Sequence, residues 1–320
     1  MRARQNASAR SVTGIAAVLT AVVLWGVQLP VASLAFVRVD PYHVTAIRYG
    51  VAAAVLLPVL VYMEGTSALR YGRRFWLTVA VGIVGMCLSP MLSFVGLSYS
   101  QPEHAAVISA LQPLMVAIAQ RVLRGRTLPS FTLACIVLAF AGVLIVVTEG
   151  KPIRLVSLGQ LVGDLLIFGG AIAWVTFAMA RERFSDWSTL SFTTLTMLPG
   201  LAATLCIVAL AAATGVVPPL GSSDVAAVWP QLLYLSFGSA LIAMVCWNAG
   251  NQRIGALDAM LLINLQPVVT FTVRFFQGYR YTPLELAGAV LVVAALFANA
   301  LFLRARSKDA VPATSPSGPA

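Results

Sequence analysis

The sequence has very little charge: Asp, Glu, Lys and Arg make up 10% of its 320 residues, whereas 59% are hydrophobic. A soluble domain of this length needs more charged surface, so the composition indicates a membrane protein. Lysine occurs only at Lys151 and Lys308. Because no Gly-x-x-x-x-Gly-Lys-Ser/Thr segment is present, ATP hydrolysis by a phosphate-binding loop is excluded.

Metal ligands and catalytic motifs are also scarce. The chain has 2 histidines and 4 cysteines, and the cysteines lie in apolar runs without paired spacing. This pattern favours buried side chains over disulfides or a metal site. No His-Glu-x-x-His, Gly-x-Ser-x-Gly or carboxylate cluster appears. We therefore expect no cofactor, no metal and no enzymatic activity. The alternative is a polytopic membrane enzyme acting on a lipid or headgroup, which would need acidic clusters at a membrane face.

Long apolar runs are abundant. A helix needs about 20 apolar residues to cross the hydrocarbon. Ten such runs occur, at roughly 14–34, 42–63, 75–96, 103–121, 129–148, 158–179, 188–213, 227–248, 255–273 and 283–303. We expect an all-α integral membrane protein with ten transmembrane helices, followed by a disordered cytoplasmic tail at 305–320, which is rich in Pro and Ser.

The net charge of +10 reports topology rather than a polyanionic partner. If the N-terminus is inside, most of the 21 Lys and Arg fall in the inner segments. This is the positive-inside bias, and it predicts that both termini are cytoplasmic. Arg274 and Arg280 run against the rule, because both fall in the last outer loop. The expected surroundings are a lipid bilayer, with no nucleic acid bound.

Leu-Gln-Pro occurs twice deep inside apolar runs, at 111–113 and 265–267. The offset that superimposes these segments also aligns Pro129 with Pro283. We infer two repeats of five helices each. Five is odd, so the second repeat enters the membrane from the opposite side, as in the inverted repeats of many secondary transporters. Chance similarity among apolar helices is the alternative.

The predicted repeat boundaries are 1–150 for helices 1 to 5 and 151–304 for helices 6 to 10. In this arrangement Gln112 and Gln266 approach the bilayer midplane from opposite faces. The proline that follows each glutamine lacks an N–H and frees a carbonyl. Such polarity is tolerated in hydrocarbon only where it faces protein or a wet cavity. We expect a central polar patch built from both halves; a purely structural kink is the other interpretation.

Three further segments carry a family resemblance: Leu-Trp-Gly at 24–26, DPYHVTAIRYG at 40–50, and GYRYTPLELAGAVLVVAALF at 278–297. Together with the two Leu-Gln-Pro segments, they resemble the EamA-like members of the drug/metabolite transporter superfamily. The resemblance implies ten helices in two repeats, and transport of small metabolites or drugs across a bacterial inner membrane. One departure is that Gly125 and Tyr279 stand where the family has glutamate.

The candidate substrate pathway combines aromatic, amide and cationic side chains. Trp25 and Trp174 occupy matching places in helices 1 and 6, and could form aromatic walls or serve as packing. Arg48 could attract a carboxylate or phosphate, or could bond loop carbonyls instead. The remaining candidates are Gln28, Asn248, Gln112 and Gln266.

Three ionisable residues are candidates for proton coupling: Asp164, Asp258 and His104. A carboxylate in a poorly solvated cavity has a raised proton affinity. Asp164 could alternatively form a structural ion pair, for which Arg48 is a suggested partner. Asp258 could cap its helix, and His104 could be hydrated at the surface.

These observations predict a secondary transporter for an amino-acid-like or aromatic solute. Alternating access would expose the site to each side in turn. We expect efflux, and a monomer or homodimer.

Overall fold

The computed structural model describes residues 2–125, 129–148, 157–254, 259 and 262–309, and all regular structure among them is helical. Two π-helical segments are present, Ile83–Leu88 and Tyr234–Ile242. The α-helices are, in order, α1 (Arg2–Ala35), α2 (Pro41–Glu64), α3 (Phe75–Gly82), α4 (Ser89–Tyr99), α5 (Pro102–Ala110), α6 (Gln112–Arg124), α7 (Ser130–Thr148), α8 (Leu158–Ala180), α9 (Thr189–Ala213), α10 (Ser222–Ala227), α11 (Trp229–Leu233), α12 (Ala243–Ile254), α13 (Gln266–Phe276) and α14 (Pro283–Asp309).

Within these described ranges, 9 helical segments are long and apolar enough to cross a membrane. They coincide with nine of the ten predicted runs. The prediction of an all-helical, multi-pass membrane protein is therefore confirmed. The remaining run, 255–273, includes residues outside the described ranges, so the tenth span and the inverted orientation of the repeats stay predictions.

Local sequence signals explain where helices begin. Asp40 caps α2, because its carboxylate accepts the backbone N–H groups of Tyr42 and His43. A capping box starts α14: the Thr282 backbone N–H donates to the Glu285 carboxylate, and the Glu285 N–H donates to the Thr282 hydroxyl. Proline at the first turn of both helices fits the same positions.

Close helix packing depends on paired glycines. A Cβ added at Gly96 on α4 would lie 2.5 Å from the Gly163 carbonyl oxygen on α8. A Cβ added at Gly250 on α12 would lie 2.8 Å from the Gly14 carbonyl oxygen on α1. Larger side chains would therefore push these helices apart. An offset of 149 residues aligns Gly14 with Gly163, and an offset of 154 aligns Gly96 with Gly250. The two glycine contacts are therefore equivalent, as expected of related repeats.

The buried apolar side chains form two clusters. The first includes Leu29 and Phe94, and the second includes Trp25 and Tyr49. All four of these residues also line one cavity, which therefore lies between the two clusters.

The polar tail begins later than predicted. Helix α14 continues to Asp309, whereas disorder was expected from residue 305. The sequence at the end of this helix carries Arg306 and Lys308, and basic residues favour a helix C-terminus. Residues 310–320 lie outside the described part of the chain.

Candidate functional site

The central cavity has a volume of about 90 Å³. One water needs roughly 10–15 Å³ of such space, so several fit. The described lining combines aromatic rings, amides and hydroxyls with a single cation. The lining residues are Trp25, Gln28, Leu29, Arg48, Tyr49, Gly85, Ser89, Pro90, Ser93, Phe94, Ser109, Gln112, Gly170, Trp174, Met244, Ile263 and Gln266.

Arg48 is the charged residue of this lining. It lies in the second turn of α2 and is 4% exposed. Its Nη2 donates to Gln28 Oε1 at 2.9 Å. The Tyr49 and Phe94 rings lie 5.0 and 4.7 Å from its Cζ. The guanidinium is thus held between two rings and an amide from α1.

The two matching tryptophans meet in the cavity wall. The Trp25 and Trp174 ring centroids are 5.5 Å apart, edge to face. Trp25 Nε1 donates to the Ser239 carbonyl at 3.1 Å, and Trp247 packs 5.4 Å from the Trp25 ring. Trp174 packs on Phe177. Both indoles are fixed by neighbours and present an aromatic surface to the cavity.

Gln112 and Gln266 both line the cavity, each at the start of a helix after a tight turn. Helix α5 ends at Ala110 and α6 begins at Gln112. The Leu111 N–H bonds the Ile108 carbonyl at 3.1 Å, and the Leu265 N–H bonds the Leu262 carbonyl at 3.0 Å. The proline after each glutamine lacks the N–H that would continue the preceding helix. The turns bring two amides, which can both donate and accept, to one space.

His104 and Asp164 form a buried pair. His104 Nδ1 lies 3.3 Å from both Asp164 carboxylate oxygens, and the Ser100 hydroxyl donates to the same carboxylate. His104 is 0% exposed and Asp164 7%. The expectation of a hydrated surface histidine is therefore wrong. The suggested Asp164–Arg48 pair is also absent, because this face of α8 packs on the start of α5.

A second ion pair lies beside the first, between a buried carboxylate and a half-buried arginine. Arg274 Nε on α13 donates to Glu103 Oε1 on α5 at 2.8 Å, and Glu103 is 1% exposed. We call Glu103, His104, Asp164 and Arg274 the α5 charge cluster. Glu103 was not predicted from the sequence as a site residue. The available signal was Arg274, whose charge contradicted the positive-inside pattern and is here compensated by that carboxylate.

Two further candidates are not part of the cavity as described. Asn248 was predicted on the substrate pathway. It is absent from the cavity lining, because its Nδ2 instead donates to Thr193 Oγ1 on α9 at 2.7 Å. Asp258 lies outside the described residues.

A second pocket, exposed to solvent, lies where α2 ends and α9 begins; we call it the end pocket. Its volume is about 310 Å³. Glu64 accepts hydrogen bonds of 2.6 Å from both Ser188 and Ser191. Arg74 pairs with Asp186 at 2.5 Å, and this hydrogen bond lowers the pKa of the Asp186 carboxyl. The pocket is lined by Glu64, Ser67, Ala68, Arg70, Asp186, Trp187, Ser188, Ser191 and Leu195.

The fold and the cavity define a class: a multi-pass helical membrane protein with a polar and aromatic chamber among its helices. The EamA-like transporter family matches residues 12–148 and 161–301. The chain therefore belongs to the EamA-like transporter family, within the drug/metabolite transporter superfamily, as its sequence motifs predicted.

Relatives in bacteria carry transporter names. The chain is 30% identical over 291 residues to the uncharacterized transporter YrdR of Bacillus subtilis (strain 168), covering 89% of this chain and 90% of that protein. It is 34% identical to YyaM of the same organism, covering 79% and 82%. A probable amino-acid metabolite efflux pump of Salmonella typhimurium is 25% identical, covering 90% and 95%. A crystal structure at 24% identity shares the fold, with a TM-score of 0.65 over 94% of this chain and 99% of that one.

Proposed function

We propose that this chain is a secondary transporter that exports a small amino-acid-like or aromatic solute across the bacterial inner membrane. The observation that carries the proposal is the central cavity, lined by polar and aromatic side chains from both family-matched segments. The name of the Salmonella relative supports efflux and an amino-acid-like solute.

Alternating access would follow from the paired character of the lining. Trp25 faces Trp174, and Gln112 accompanies Gln266, with one member of each pair from either half. We propose that segments 1–150 and 151–304 are inverted repeats with both termini cytoplasmic. Exchange of their two conformations would then open the cavity to the opposite side. The unit would be a monomer or homodimer.

The His104–Asp164 pair is the proposed site of proton coupling. It joins α5 to α8, and both helices also supply cavity residues, Ser109 and Gly170. The pair lies about one and a half turns from those residues along each helix. Protonation of Asp164 would remove the charge that holds His104. The resulting change in helix contact would bias the equilibrium between the two access states.

The test is flux in reconstituted vesicles. Metabolite profiles of cells lacking or overproducing the protein would select the solutes, and labelled solute would then be measured with and without an imposed pH gradient. We expect saturable flux that follows the gradient. Asp164→Asn should lose the response to the gradient, whereas the exposed control Asp186→Asn should retain it.

Chemical conversion of the solute without net movement would overturn the transporter proposal and favour an enzyme. Flux that ignores the pH gradient in the wild type would overturn proton coupling alone.

A further inference from the structure

We infer that the solute is a net organic anion whose carboxylate is held by Arg48; this rests on the proposed transport function. The primary observation is an unpartnered polar atom. Arg48 is 4% exposed and lines the cavity, yet its Nε has no hydrogen-bond partner among the described residues.

The described surroundings of Arg48 do not neutralise it. Gln28 accepts one hydrogen bond, and the rings of Tyr49 and Phe94 flank the guanidinium. These groups orient the cation without supplying a formal negative charge. The ion pairs between described residues are formed elsewhere, and the described cavity lining contains no Asp or Glu.

A buried charge without a counter-ion is unfavourable, because desolvation removes its hydration and nothing replaces it. Cation–π contacts and cavity water offset part of this penalty. A ligand carboxylate would supply the missing charge and accept hydrogen bonds from the guanidinium fork, which matches carboxylate geometry. Gln28 and the two rings preorganise Arg48 for that contact.

Charge counting selects the ligand class. One cation in the described lining is neutralised by one carboxylate. A dianionic phosphate would leave one negative charge unpaired. The ammonium group of a zwitterion would find aromatic faces but no described carboxylate. Trp25 and Trp174 provide surface for a ring. The favoured solute is therefore an aromatic or amphipathic monocarboxylate, with the carboxylate at Arg48 and the apolar end toward the tryptophans.

This assignment has an electrical consequence. Moving one elementary charge across the membrane potential changes the free energy by about 2.3 kcal/mol per 100 mV. The inside-negative potential of a bacterial cell favours the outward movement of an anion. With one proton entering for each solute exported, as proposed above, export of a monocarboxylate moves two elementary charges along the potential, whereas export of a zwitterion moves one.

The test compares three probes that share a phenylethyl skeleton. Calorimetric titration of the full-length protein in detergent would use 3-phenylpropionate, phenylalanine and phenethylamine. We expect the tightest binding for 3-phenylpropionate, weaker binding for phenylalanine and no binding for phenethylamine. Arg48→Gln should weaken 3-phenylpropionate binding at least about tenfold, which corresponds to the loss of one charge-assisted contact. The exposed control Arg253→Gln should leave it unchanged.

Two outcomes would overturn the inference: phenethylamine or phenylalanine binding as tightly as 3-phenylpropionate, or Arg48→Gln binding 3-phenylpropionate as tightly as the wild type. The probe series uses the wild type alone, so it remains decisive if Arg48→Gln does not fold. Arg48→Lys, which keeps the charge and loses the fork, should bind with intermediate strength.

Flux separates this inference from the proposed function. If 3-phenylpropionate binds through Arg48 but never crosses vesicles, the transport proposal fails and the anion site stands. If neutral or cationic solutes move as well as 3-phenylpropionate, transport stands and the anion inference fails.

Discussion

The central cavity and the end pocket differ in how their charges are compensated. In the cavity, Arg48 is buried and no described carboxylate pairs with it. In the end pocket, both signs are present: Asp186 pairs with Arg74, and Glu64 accepts two serine hydroxyls. The side chains of the Arg74–Asp186 pair are 39% and 60% exposed, so water also screens them.

If the central cavity is the binding site, as proposed above, volume alone does not identify it. The end pocket has more room for water, about 310 Å³ against about 90 Å³. Its charges are nevertheless inexpensive, because each is solvated or paired. An uncompensated buried cation reduces stability, and its presence in a folded chain is best explained by a ligand that completes it. The α5 charge cluster differs from both pockets, because its buried carboxylates, Glu103 and Asp164, each pair with a basic side chain.

The largest effect should come from the compensated buried pair. Glu103→Ala leaves Arg274 without its carboxylate at a site where Glu103 is 1% exposed. Removing one partner of a fully buried pair lowers the free energy of unfolding by about 3–5 kcal/mol. Because the Arg274 side chain is 21% exposed, water offsets part of this penalty, and we expect a loss of about 2–3 kcal/mol. Denaturant unfolding in detergent micelles measures this loss. Adding Arg274→Ala to Glu103→Ala should recover part of it. A single variant as stable as the wild type would show that the pair contributes nothing.

Arg48→Met should instead raise the free energy of unfolding. It removes a buried cation that lacks a described counter-ion, and the methionine still packs against Tyr49 and Phe94. Apolar replacement of buried ionic groups is often stabilising, and we expect about 2 kcal/mol more unfolding free energy for the ligand-free protein. The matched control, Arg253→Met at an exposed position, should change stability little. A fall in the stability of Arg48→Met would mean that the guanidinium is compensated after all.

The two pockets can also be compared through one tryptophan each. Trp174 lines the cavity against Trp25, and Trp187 lines the end pocket. Trp174→Ala should lower solute flux about tenfold, equivalent to roughly 1.4 kcal/mol of lost binding, because an aromatic wall is removed. Trp187→Ala should lower it less than about twofold. Vesicle flux, normalised to the amount of folded protein, provides the comparison. Equal losses would argue against the cavity as the pathway.

Much of the fold can be predicted from the sequence, because apolar runs of helix-spanning length give a strong, local signal. That Gln112 and Gln266 reach one cavity could also be predicted. The repeat offset relates the two glutamines, and a proline interrupts the helix after each. Depth does not give rotation: neighbouring residues differ by about 100° around a helix. Asn248 was predicted on the substrate pathway but donates to Thr193 instead.

The long-range charge pairs could not be predicted from local patterns. Glu103 and Arg274 are 171 residues apart and are not related by the repeat offset. Their pairing depends on how α13 packs on α5, which no periodicity in either segment specifies. The one indirect signal was Arg274, which the sequence predicted in an outer loop where arginine is disfavoured, and which the structure places in the last turn of α13. An arginine that departs from the positive-inside pattern in this way predicts a carboxylate nearby.

The smallest effect should come from Asp186→Asn in the end pocket. The Arg74 hydrogen bond lowers the pKa of Asp186 from its usual 3.8, so the ionised carboxylate favours the folded state. This contribution is present above the unfolded-state pKa and disappears as the pH falls through the lower folded-state value. Wild type and Asp186→Asn should therefore differ slightly in melting temperature at neutral pH, and the difference should close below pH 3.8.

Flux should change less than about twofold in Asp186→Asn, because an exposed ion pair contributes little and lies away from the cavity. Arg74→Gln is the reciprocal variant, and it should give the same small shift at neutral pH. A large loss of flux in both variants would show that the end pocket, despite its solvated charges, belongs to the solute pathway. In that event, the presence or absence of a counter-ion would no longer distinguish the solute pathway in the central cavity from the end pocket.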